Sequence, residues 1–161
     1  MTKSLTKYFS LSALIIVIDQ LTKLAIEANF QFGESKPITS FFNLVLAYNP
    51  GAAFSFLADH DGWQRWLFTA LSIGASIFIV MYMRKNLGKS RLLTGLAFIL
   101  AGAIGNLIDR VRIGKVVDFL DFYYQSHHWP AFNIADSAIL IGVVLLLWDE
   151  LKKPKEPKVV K

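Results

Sequence analysis

The chain has 161 residues, of which 54% are hydrophobic and 18% charged, with a formal net charge of +5 and a mean hydropathy of +0.44. This is too apolar for an ordinary soluble domain of such length and indicates a membrane protein. The absence of cysteine excludes a thiol nucleophile, a disulfide framework and a thiolate metal site.

The first predicted helix covers 8–29. Lys3 and Lys7 precede the apolar stretch Phe9–Ile18 in the manner of a signal peptide, but the stretch continues into DQLTKLAIE rather than a small-residue cleavage site, so it reads as a permanent helix. Asp19, Lys23 and Glu27 follow at i, i+4 and i+8 on one stripe of that helix, spaced either as a mutually neutralising ion ladder facing other helices or as groups for chemistry. Segment 30–63 is extracytoplasmic in this reading. Within it, SFFNLVLAYNPGAAFSFLA reads as two short β-prone runs around a turn at Asn49-Pro50-Gly51, so a small sheet is expected.

Two charge-free windows, Trp66–Met83 and Leu92–Ile108, contain 18 and 17 residues. A helix of that length rises roughly 26 Å, close to the ~30 Å hydrocarbon core of a bilayer. They place the second and third helices at 64–84 and 91–110. In the third, Ala97, Ala101, Gly105 and Asp109 recur every four residues, a spacing that lets helices approach closely. Asn106, Asp109 and Arg110 exceed what packing requires. Segment 111–130 returns to the outer side and carries VVDFLDFYY, with Asp118 in a return loop and Asp121 in a loop or interfacial role. The fourth helix, 131–151, opens with AFNIADS, and a basic tail at 152–161 completes a single membrane domain of four transmembrane helices, all-α apart from the small extracytoplasmic sheet.

Eleven of the 17 Lys and Arg lie at the N-terminus, between the second and third helices, or after the fourth. Four helices put all three groups on one side, which the positive-inside tendency makes cytoplasmic, with both termini inside. Trp63, Trp66 and Trp129 then fall at the outer boundary, and Tyr8, Tyr82 and Trp148 at the inner one. The positive charge is explained by topology and anionic lipid, with no nucleic acid required.

Asp136 stands just before a long uncharged run. It is either a helix N-cap or one of two carboxylates meeting at the outer boundary, since Asp118 lies in the same layer. HExxH is absent, His127 and His128 are adjacent in a loop, and Ser137 lacks a GxSxG context, so carboxylates remain as the credible catalysts and no metal is expected.

The blocks DQLTK at 19–23, NPGAAFS at 49–55, GNLIDR at 105–110, VVDF at 116–119 and FNIADS at 132–137 occur in one order over nearly the whole chain. In them the chain resembles the lipoprotein signal peptidase, or signal peptidase II, family. The resemblance implies a four-helix inner-membrane aspartyl endopeptidase that removes the signal peptide of a diacylglyceryl-modified prolipoprotein, N-terminal to the lipidated cysteine. It implies Asp118 and Asp136 as the catalytic pair. Asp19, Lys23, Asn49, Gly51, Asn106, Asp109, Arg110, Asn133 and Ala135 fall in motifs matching substrate-facing or supporting positions. No cofactor is implied. Membrane lipids and the lipid-modified precursor are the expected partners of a monomer whose site faces the outer side. The rival readings are a small proton or ion transporter relaying through Asp19, Lys23, Glu27 and Asp109, and a non-catalytic membrane scaffold.

Overall fold

A computed structural model describes residues 4–51 and 62–152. Along the chain these form α1 (Thr6–Asn29), β1 (Ser35–Thr39), β2 (Phe42–Asn49), α2 (Trp63–Lys85), α3 (Ser90–Ile113), β3 (Val116–Tyr124), β4 (His127–His128) and α4 (Ile134–Leu151). The second β-prone run after Gly51 and the basic tail beyond residue 152 lie outside the described residues.

Three of the helices, α1, α2 and α3, are long and apolar enough to cross a membrane. Their outward faces leave large apolar side chains such as Leu21, Phe78 and Val111 exposed, an arrangement that water disfavours and hydrocarbon does not. The fourth helix is shorter, at 18 residues, and includes Asp136, Asp149 and Glu150.

Helix α3 is the centre of the bundle, packed against α1, α2 and α4. Its small residues make that position possible. A Cβ added at Gly142 of α4 would lie 2.6 Å from the Gly95 carbonyl oxygen and equally close to Ile99, so the two backbones approach as nearly as glycine allows. Ser12 of α1 adds a hydrogen bond to the Ala97 carbonyl at 2.8 Å. One buried apolar cluster, including Tyr8, Met83, Leu93 and Leu96, closes the end of the bundle where α1 and α3 begin. The other, of Ile26, Leu46, Val117 and Phe119, joins the opposite end to the sheet.

The sheet is antiparallel throughout, in the order β1-β2-β3-β4. The expected small sheet is present, while the run expected after the turn at 49–51 lies outside the described residues. Strand β2 turns back from β1 through Ser40 and Phe41 and pairs on its other edge with β3, far away in the chain. Tertiary pairing, invisible to local turn signals, chose the partner. Asp118 and Asp121, expected in loops, both lie on β3, opposite Ala47 and Asn43 respectively. Helix α3 runs to Ile113 and stops at Gly114, whose φ of +80° suits a left-handed terminal residue. Helix α4 starts at Ile134 because Asn133 caps it.

Candidate active site

The site forms where α3 ends, α4 begins and β3 crosses between them. Asn133 is the N-cap of α4: its Oδ1 accepts from the Asp136 backbone N at 2.9 Å, and Asp136 Oδ2 accepts from the Asn133 backbone N at 3.3 Å. Asp136 therefore closes a capping box from inside the first turn. That role occupies one carboxylate oxygen. The other, Oδ1, accepts from Asn106 Nδ2 at 2.7 Å.

The same Asn133 reaches the second acid. Its Nδ2 donates to Asp118 Oδ1 at 2.7 Å, while Asn49 Nδ2 donates to Asp118 Oδ2 at 3.2 Å. One buried asparagine thus holds a carboxylate from a strand and a carboxylate from a helix, eighteen positions apart in the chain. Both acids line a cavity of about 560 Å³, together with Asn49, Asn106 and Arg110 on its polar side. Trp129, Pro130, Phe132, Leu140 and Ile141 supply an apolar side. Burial pushes the Asp118 carboxyl up to about 7, the negative charge of Asp136 adds to the rise, and the Asn49 and Asn133 hydrogen bonds oppose it. Such a group keeps its proton to near-neutral pH.

Beneath the cavity lies a second polar layer. Lys23 is fully buried, with its ammonium 2.9 Å from both Asp19 and Asp109, and donates to Asn106 Oδ1 at 3.0 Å. Asp19 accepts from the Ala135 backbone N at 2.8 Å, which ties α1 to the start of α4. Asp109 accepts from the Val117 backbone N at 3.2 Å, which ties α3 to β3. Asp19, Lys23, Asp109 and Ala135 therefore support the site from behind its cavity. Arg110 donates to the Gly51 carbonyl at 3.2 Å and stacks near Phe68, and Gly51 N donates to Asn49 Oδ1 at 3.0 Å.

Three readings from the sequence change here. Glu27 leaves the expected ladder and pairs with Arg112 at 2.6 Å, because a closer partner on α3 replaces the i+4 neighbour. With Lys23 clamped between two carboxylates and Glu27 diverted, the proposed proton relay is interrupted. Asp121 is only 6% exposed and on a strand, not in a loop. Its odd spacing from Asp118 turns it toward Asn43 and His128, away from the paired acids. His127 and His128 likewise form β4.

Sequence reasoning missed Gln20, whose amide bridges Asp19, the Gly105 carbonyl and Asp109 at 3.1–3.2 Å. A glutamine inside an apolar helix was the available signal. It also missed the apolar wall around Trp129 to Phe132, for which the sequence carried no distinctive mark.

Apolar helices around two buried acids, each held by asparagines beside a largely apolar cavity, fit the class of membrane aspartic proteases. The comparisons narrow the class. The family model described as Signal peptidase (SPase) II matches residues 11–152. The lipoprotein signal peptidase of Ralstonia nicotianae is 56% identical over 146 residues, spanning 91% of this chain and 84% of that protein. That of Janthinobacterium sp. (strain Marseille) is 53% identical over 152 residues, spanning 94% and 92%. A bacterial membrane enzyme solved by the in meso method at 2.3 Å resolution superposes with a TM-score of 0.85 at 32% identity, covering 97% of this chain and 95% of that one. The chain belongs to the signal peptidase II family, and it is an aspartic endopeptidase acting on lipoprotein precursors.

Proposed function

We propose that Asp118 and Asp136 are the catalytic pair with which this enzyme cleaves a diacylglyceryl-modified prolipoprotein immediately before its lipidated cysteine. The observation that carries this reading is Asn133, which binds Asp118 through its side chain and Asp136 through its backbone and so holds the two acids at one cavity. Two carboxylates so placed share one proton over a broad pH range and titrate as a unit. The ionised member takes a proton from a water that attacks the scissile carbonyl. The protonated member hydrogen-bonds the carbonyl oxygen and then helps protonate the departing amine. Asn49, Asn106 and Arg110, which line the same cavity, hold the substrate backbone or the acids themselves through directed hydrogen bonds. The mechanism requires no cofactor.

The apolar side of the cavity suits a substrate whose signal segment and acyl chains remain in the membrane. In the proposed topology all four helices span, α4 included, since its 18 residues rise about 27 Å. The protein acts as a monomer in the bacterial inner membrane with both termini cytoplasmic. The sheet and the paired acids face outward, and membrane lipids surround the bundle.

The test is cleavage by purified protein in liposomes of a diacylglyceryl-modified prolipoprotein and of the same precursor without lipid. Cleavage before the cysteine of the modified form alone, unaffected by a strong chelator, is expected. Loss of activity that zinc restores refutes the aspartic mechanism, and equal cleavage of both precursors refutes the assigned substrate.

A further inference from the structure

The cavity wall at 129–132 is tied by its backbone to β3 at its two ends, Trp129 and Phe132. Strand β4 is two residues long, and Pro130 removes one backbone donor from the segment that follows it. The backbone bonds that hang the wall on β3 include Trp129 N to the Phe122 carbonyl at 2.7 Å and Phe132 N to the Leu120 carbonyl at 3.1 Å. Phe132 stacks on Phe122 at 5.8 Å, which braces the far end of the segment. Its near end is held by the Trp129 bond and the short β4 pairing, and by side chains beside them.

There Asp121, buried on β3, accepts from Asn43 Nδ2 of β2 at 2.8 Å. Its two oxygens stand 2.9 and 3.0 Å from His128 Nδ1. The His128 ring stacks on Tyr123 at 5.1 Å, and the Tyr123 hydroxyl donates to the Thr39 carbonyl of β1. The exposed histidine is therefore anchored through three strands. A buried carboxylate needs its donors, so Asp121 fixes the imidazole, and the imidazole fixes the residue immediately before Trp129. We propose that Asn43, Asp121 and His128 form a clasp that positions the Trp129–Phe132 wall, making His128 a positioning residue for seating the substrate's apolar segment without a part in bond cleavage.

This inference rests on the cavity being the substrate site, and it separates seating from chemistry. His128→Phe keeps an aromatic ring on Tyr123 and removes the N–H, at a position whose side chain is 52% exposed, so folding is retained. Loss of a partly exposed pair of this kind should raise the KM for diacylglyceryl-modified prolipoprotein about two- to fivefold with kcat within about twofold of wild type. His128→Gln restores a donor and should recover most of the KM. Asp121→Asn combined with His128→Phe should raise KM scarcely more than His128→Phe alone, because both changes open the same contact.

Hydrogen exchange of the same full-length proteins supplies a readout independent of turnover. The Trp129 and Phe132 amides should exchange faster in His128→Phe while the middle of α3 is unchanged. Unchanged exchange at those two amides, an unchanged KM, or a fall in kcat at constant KM overturns the clasp. Retention of turnover in Asp118→Asn would instead refute the catalytic pair, whatever the His128 variants show.

Discussion

Replacing Asp136 by asparagine separates its two duties. The backbone half of the capping box, Asp136 N to Asn133 Oδ1, does not use the substituted side chain and persists. Of the two bonds that the carboxylate accepts, from Asn106 at 2.7 Å and from the Asn133 backbone at 3.3 Å, an amide keeps one through its single oxygen. The shorter should survive. Stability therefore falls by about 1 kcal/mol, the scale of a capping contact, which in a protein of this size lowers Tm by about 2–4 °C. Catalysis loses a protonatable group that nothing replaces, so turnover should drop by at least ~10²–10⁴-fold, equivalent to roughly 3–5 kcal/mol of barrier. The measurement is single-turnover cleavage of the lipid-modified precursor in liposomes, with membrane yield and Tm followed in parallel. The double variant with Asp118→Asn should be scarcely worse than either single, since members of one catalytic unit are strongly non-additive. A well-folded Asp136→Asn enzyme with near-normal turnover would leave Asp136 a capping residue and refute the assignment.

The raised Asp118 carboxyl predicts a pH dependence of stability. The native state holds this proton up to about pH 7, whereas the unfolded chain releases it near 3.8, the ordinary value for an aspartate. The stabilisation is complete below the lower value and is lost as pH rises through the upper one, so Tm should decline between them and Asp118→Asn should flatten the decline. A wild-type slope in the variant assigns the dependence to another group. Lys23→Met strands two buried carboxylates that lie 2.9 Å from the ammonium and should cost about 3–5 kcal/mol, read as lower Tm and membrane yield; wild-type melting contradicts the clamp. Gly102→Ala places a methyl against the Ala135 carbonyl and Ile139, beside the turn that carries Asp136, and should cost about 1–3 kcal/mol and lower turnover, whereas Gly74→Ala meets nothing within 4 Å and should be tolerated. Fused reporters at the N-terminus, near Lys89 and at the C-terminus should report cytoplasm and one near Ser126 the outside, and a cytoplasmic Ser126 inverts the topology.

Hydropathy is a local property that depends on neighbouring residues alone. The helices and the polar residues set within or beside them were accordingly legible in the sequence, as were the ordered blocks on which the family resemblance rests. Partner choice is not local. Glu27 turned to Arg112 rather than Lys23, β2 took β3 as a neighbour, and Asn133 became both the cap of α4 and the tether of Asp118. Spacing alone left Asp136 divided between cap and acid; the folded chain uses separate oxygens, so the cap and the contact with Asn106 coexist. Asp118 and Asp121 have the same side chain and differ by three positions. Only pairing in the sheet, which turns successive residues to opposite faces, directs one to the cavity and the other to His128. The amino-acid sequence determined which segments favour hydrocarbon and which polar groups had to find partners there; tertiary packing decided the partners, because hydrogen-bond geometry is set by approaches between segments distant in the chain.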